Sequence, residues 1–272
     1  MKNRLAVIVV LLICIGLVYL LRSHPKQTSV AEETVPEENV VIPAYAQALL
    51  QAYPNYIAGY EDGFILFRDG EKMRCDDEIQ KDYLERLDNT DIEDMFQQPY
   101  QTGKIIIPSY LYDPGRYRCE AFFKKMYGAS EEEVRDKLVA VDWFGQSIPF
   151  TTVNHAADSL KAVERDILKH YPQLKKYFEQ SSSFYWRKVR GAERLSAHSY
   201  GMTVDICVKY SDFWRWSNPG KSETDSLSYK NRIPEEIIRV FEKHGFISGA
   251  KWYHYDTMHF EFRPDLLLFS EL

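Results

Sequence analysis

The sequence is short of cysteine. Four in 272 residues are too few to staple a disulfide scaffold, so the fold must rest on a buried core. It also lacks a surplus of positive charge. The 34 Lys and Arg stand against 40 Asp and Glu, a formal net charge of -6. Duplex-binding proteins concentrate positive charge, so this balance speaks against nucleic acid as a main partner. With 13 glycines and 12 prolines, the chain is neither collagen-like nor low in complexity. It contains no internal repeat. The zinc signature His-Glu-x-x-His is absent, which excludes a thermolysin-type protease. A mean hydropathy of -0.41 excludes a chain of many membrane spans. What is there is a globular composition, 45% hydrophobic and 14% aromatic, with one unevenness: a block of apolar residues at the start.

That block, Leu5 to Leu21, is 17 residues without a charge, flanked by Lys2 and Arg4 before and Arg22 and Lys26 after. A membrane-spanning helix needs about 20 apolar residues, and about 17 is the short end. A secretory signal has an apolar core of only about 7–15 residues and a small-x-small cleavage site, and none is convincing after Leu21. The reading is an N-terminal transmembrane helix acting as an uncleaved anchor. A cleaved signal is the alternative, and Cys14 raises a lipoprotein as a third. Each sends the rest of the chain out of the cytoplasm. Residues 23–44 carry Pro25, Pro36 and Pro43, four glutamates and little apolar periodicity. Such a stretch buries too little surface to offset its ordering entropy, so it reads as a tether.

The remainder divides into an N-terminal accessory region, 45–125, with no assignable motif, and a C-terminal domain, 126–272, with no linker between them. Short strands and helices alternate irregularly, an α+β pattern. Phe64–Phe67 followed by Asp69-Gly70 reads as a strand and hairpin turn. Ser130 with Glu133 is a capping box opening a helix to about residue 138. Val139–Phe144 reads as a strand. Leu160, Val163, Ile167, Leu168 and Tyr171 keep helical spacing over 156–171. Pro234 opens a last helix with Ile237, Ile238 and Phe241 on its apolar face and Gly245 as its stop.

Two histidine neighbourhoods carry the chemistry. In Ser196-Ala-His198-Ser-Tyr-Gly201-Met-Thr-Val-Asp205-Ile-Cys-Val, alternation puts Val204, Ile206 and Val208 on one strand face and Asp205 on the other. A carboxylate inside an apolar strand is costly unless paired or metal-bound. Gly201 allows a turn that brings His198 back beside Asp205. In Trp252-Tyr-His254-Tyr-Asp256-Thr-Met-His259-Phe-Glu261-Phe, His259 and Glu261 share one face of a strand. Asp256 lies at its entrance. Two histidines and a carboxylate are a known ligand set for catalytic zinc, and a further carboxylate such as Asp256 can take the proton of a zinc-bound water. Spacing alone leaves open the plainer reading of satisfied core or surface polar residues.

These two motifs, in this order, resemble the zinc D-alanyl-D-alanine carboxypeptidase and L-alanyl-D-glutamate endopeptidase family, the VanY-like peptidoglycan peptidases, which share a fold core with the hedgehog signalling domain. The likeness spans about residues 150–265 and includes Phe184-Tyr-Trp-Arg187-Lys-Val-Arg190-Gly191. It implies an α+β fold in which a small antiparallel sheet with flanking helices carries a zinc site. It implies zinc on His198, Asp205 and His259, with Asp256 where the family has its general base. An Asp there looks more like the endopeptidase branch than the carboxypeptidases, many of which carry Glu. The family's oxyanion-stabilising arginine falls best on Arg187, with Arg190 and Arg194 as competitors.

The expectation is therefore a zinc metallopeptidase cutting amide bonds of peptidoglycan stem peptides, anchored in the membrane, with its catalytic domain on the wall side. It is expected to act as a monomer. A catalytically inactive wall-binding module of the same fold is the alternative. Among individual residues, Ser196 reads as structural or as a substrate hydrogen bonder, His254 as a pocket-rim or surface residue, Trp252 as packing ahead of a substrate platform, and Cys207 as a buried thiol. Glu261 reads either as a partner orienting His259 or as a surface pair. Cys75 and Cys119 are candidates for a disulfide.

Overall fold

Three small antiparallel sheets organise the described residues, 41–272, of this computed structural model. The apolar run Leu5–Leu21 and nearly all of the tether lie outside the described residues. Among the described residues no helix is long and apolar enough to cross a membrane. The first sheet is a meander of β1 (Ile57–Glu61), β2 (Phe64–Phe67) and β3 (Lys72–Arg74), with the Asp69-Gly70 turn where the sequence puts it. The second is a hairpin of β4 (Leu138–Trp143) and β5 (Gln146–Thr151). The third, in the order β6-β8-β7, joins β6 (Thr203–Asp205), β8 (His259–Phe262) and β7 (Phe246–Ser248). The mixed architecture with small antiparallel sheets is the one the sequence leads to.

The helices follow their apolar spacing. Ala156–His170 is helical, with Leu160, Val163 and Ile167 buried, although Leu168 is exposed. Glu235–Lys243 follows Pro234 and turns Ile237, Ile238 and Phe241 inward. Phe241 stacks on Phe260 of β8 at 3.8 Å between ring centroids and meets Phe246 of β7 edge-on. This helix thus covers the back of the third sheet, and each buried ring of that size stabilises by roughly 1.5–3 kcal/mol. The capped helix is shorter than expected. Ser130 Oγ accepts from the Glu133 N–H, but the Glu133 carboxylate takes the Ala129 N–H, and the helix ends at Arg135. Only Val134 of this segment is buried. With so little to hold another turn, the chain passes into the ladder of β4, which starts at Leu138 opposite Thr151.

One apolar core runs from Ala46 to Leu267. The helix Ala44–Ala52 packs on the helix Pro264–Phe269, and Tyr53 Oη donates to Asp265 at 3.0 Å. Val41–Leu272 forms one compact unit. Cys75, Cys119 and Cys207 are all buried free thiols, so the disulfide considered between the first two is not formed.

Candidate metal centre

The register of the third sheet decides what stands together. Asp205 of β6 is directly opposite His259 of β8, and Thr203 is opposite Glu261. Directly paired residues of an antiparallel ladder project to the same face, so Asp205, His259 and Glu261 share one side. Val204, Phe260 and Phe262 take the other, where Phe260 stacks on Phe241 of the helix Glu235–Lys243. The strand carrying Asp205 is shorter than the alternation suggests. Its pairing ends at Asp205, the Cys207 N–H turns away to the Tyr177 carbonyl at 2.8 Å, and Val208 is 53% exposed.

His198 reaches the same face by the turn the sequence anticipates. Ala197–Tyr200 forms a single tight turn closed by Gly201 at φ +65°, a left-handed conformation that favours glycine. His198 Nε2 then lies 3.2 Å from Asp205 Oδ2, and His259 Nδ1 lies 3.1 Å from Asp205 Oδ1. One ligand-type atom from each of the three residues lies within 4.8 Å of the others. The far ring nitrogens are also held. His198 Nδ1 is 2.6 Å from the Ser183 carbonyl. A carbonyl only accepts, so Nδ1 carries the hydrogen and Nε2 presents its lone pair to the cluster. His259 Nε2 is 3.4 Å from Glu261. Of the two readings left open for Glu261, the buried partner of His259 is the one the structure has.

The electrostatics are those of a site that draws a cation. Burial would lift the Asp205 carboxyl, but His198 and His259 hold it far below the usual range. The His259 ring is pushed up to about 9, because hydrogen bonds to Asp205 and Glu261 outweigh the burial that opposes its charge. Asp256 goes the other way. Burial first, then the nearby Asp205 charge, push its carboxyl up to about 7, and its Oδ1 is buried without a hydrogen-bond partner. A carboxyl that costly to ionise and left unpaired points to a function beyond packing. Two imidazoles and a carboxylate, converging and fixed from behind, fit zinc, which would take the place of the proton that His259 otherwise holds.

Residues 190–262 match the model of a family described as D-alanyl-D-alanine carboxypeptidase. The likeness is confined to that stretch. It spans about a quarter of the chain and contains both motifs. A search of curated proteins and one of solved structures each found no match.

Arg187 is bound through its backbone to the first motif: its N–H donates to Ser199 Oγ at 3.0 Å, and its carbonyl accepts from Ser196 N–H at 2.9 Å. Its side chain is exposed and makes no hydrogen bond or ion pair among the described residues. Arg190 is exposed as well, whereas Arg194 pairs with Asp88. Ser196 is buried in the turn. Trp252 is buried, its Nε1 donating to the Pro114 carbonyl at 2.6 Å, which is packing.

His254 is not at the rim or the surface. It is 1% exposed, because Asp113 Oδ2 meets its Nδ1 at 2.7 Å and the Glu223 carbonyl meets its Nε2 at 2.8 Å. Tyr83 Oη donates to Asp113 Oδ2 at 2.8 Å and accepts from Arg116 at 2.6 Å, and Arg116 also forks onto Glu223. Burial would raise the Asp113 carboxyl, but Arg116 and His254 bring it down to about 2. No local sequence signal marks Asp113, Arg116 or Arg118, since the segment they come from carries no motif.

Proposed function

We propose that this chain is a zinc-dependent peptidase that hydrolyses amide bonds of peptidoglycan stem peptides. The observation that carries the reading is the convergence of His198, Asp205 and His259 near Asp256, whose Oδ1 is buried and unpaired. His198 Nε2, a carboxylate oxygen of Asp205 and His259 Nδ1 would hold the metal. Bound there, zinc supplies a Lewis acid and a water acidified to a pKa of about 7. Asp256 would accept the proton of the attacking water and return it to the leaving amine. Its carboxyl near 7 suits a group that must both accept and give a proton at neutral pH. A bound dication would draw that value down, easing acceptance. Arg187, with its backbone locked to the first motif and its guanidinium free, meets the negative charge that develops on the substrate carbonyl oxygen. A cation held beside that oxygen would be worth about 3–4 kcal/mol. The 17-residue uncharged run at Leu5–Leu21 supports export and anchoring on the wall side, where the substrate lies.

Mass spectrometry of defined muropeptides after digestion tests the reading. Loss of one alanine marks a D-alanyl-D-alanine carboxypeptidase. Release of a stem lacking its L-alanine marks the L-alanyl-D-glutamate endopeptidase, the outcome favoured by an Asp at position 256. The cleavage should vanish in His198→Ala. Cleavage that survives this change would overturn the reading.

A further inference from the structure

The metal-facing residues all lie within the family-matched stretch, but what holds half of them does not. A short segment from the accessory region, Tyr112 to Arg118, runs along the second motif and grips it at successive points. The Tyr112 carbonyl accepts the Tyr253 N–H at 2.9 Å. Asp113 Oδ1 accepts the His254 N–H at 2.8 Å while its Oδ2 meets the His254 ring. The Pro114 carbonyl takes the Trp252 indole N–H. Gly115, at φ +98°, lies so close to β7 that a Cβ there would sit 2.4 Å from Ile247 Cδ1. Arg118 closes the series. Its Nε donates to Glu261 Oε1 at 2.9 Å and its Nη2 to Oε2 at 2.6 Å.

We propose that Tyr112–Arg118 is a positioning brace for the metal centre, and that Arg118 sets the orientation of His259 through Glu261. Glu261 is fully buried, and its Oε2 is the group behind His259 Nε2. The carboxylate stays aimed because Arg118 engages both of its oxygens. Arg263 lies 3.6 Å from Oε1 and makes no comparable fork. An arginine, with two parallel N–H groups in a rigid plane, fixes a carboxylate in a way a point charge does not. The chain of contact is guanidinium, carboxylate, imidazole, and the imidazole's other nitrogen faces Asp205. Partners behind a ligating histidine commonly change metal affinity about 10–100-fold when removed. Asp113 does the corresponding work two residues before Asp256, by holding His254. The inference rests on the metal reading proposed above and extends it to residues outside the family-matched stretch.

The test is zinc affinity of the full chain, measured by competition with a chromogenic chelator, alongside thermal melting of the metal-free protein. Arg118→Gln leaves Glu261 buried with less support and is open to misfolding. The decisive variant is therefore Arg118→Gln combined with Glu261→Gln, which removes both charges together and keeps their shapes. We expect it to melt within a few degrees of wild type while zinc affinity falls about 10–100-fold. Arg118→Lys keeps the charge without the fork and should fall between. Wild-type affinity in the double variant overturns the brace and leaves the metal reading standing. A wild-type chain that takes up no zinc overturns the metal reading, and the brace with it.

Discussion

Two buried polar clusters sit five positions apart on the second motif, one around His254 and one around His259, and they are built in opposite ways. Around His254 each charge meets its opposite: Asp113 faces the ring and Arg116, Arg116 faces Glu223, and Tyr83 fills the corner. Around His259 the donors converge on one another, and the neighbouring Asp256 carries an oxygen with no partner. A closed network has no bonding capacity left for a ligand, and serves as scaffold. An open one stores an unmet demand, which is what a reacting group requires. The difference is the ground for assigning the chemistry to one of two similar His-and-carboxylate groups. A histidine beside a buried carboxylate does not by itself distinguish them.

Changing one carboxylate in each cluster should separate these roles. The largest effect is expected for Asp256→Ala. Losing a general acid–base group should slow turnover about 10²–10⁴-fold, read from muropeptide digestion rates. Zinc content should stay unchanged. Stability by urea unfolding should hold or rise, since the carboxyl removed had an unpaired buried oxygen. A marked loss of stability with intact turnover would reverse the comparison.

Asp113→Ala should do the contrary. It leaves His254 and Arg116 buried with less compensation, a kind of change that costs about 3–5 kcal/mol. The measure is again urea unfolding, and chains that remain folded should keep their zinc. A smaller effect follows with pH. The Asp113 carboxyl titrates at about 2 when folded, below its ordinary value of 3.8. The unfolded chain therefore takes up the proton first as pH falls. This group's contribution, about 2 kcal/mol, is fully present above pH 3.8 and is lost as the pH drops through 2. Unfolding curves of wild type and Asp113→Asn should accordingly differ at pH 5 and draw together by about that amount near pH 2.

Much of the centre was legible in the sequence because its signals are local. Alternation around Val204 and through His259–Phe262 assigns the faces, and Gly201 supplies the turn that returns His198 to Asp205. The helices Ala156–His170 and Glu235–Lys243 are written in their apolar spacing. What was not legible is long-range. Arg118 meets Glu261 across 143 positions and Asp113 meets His254 across 141, and no periodicity or local motif records a contact at that separation. The burial of His254 is hidden from the sequence for the same reason, since it depends on Asp113, Tyr83 and Glu223. β6 is shorter than its alternation, which continues to Val208 in sequence, because the ladder partner of Cys207 is replaced by the Tyr177 carbonyl.

The central claim is that the open cluster holds a metal and the closed one does not. The most direct measurement is the metal content of the purified full chain, by elemental analysis, in wild type, His198→Ala and His254→Ala. The account predicts about one zinc per chain in wild type, as a three-ligand site requires. It predicts loss of that zinc in His198→Ala and its retention in folded His254→Ala. Zinc that survives the first change, or that disappears from folded protein with the second, would contradict it.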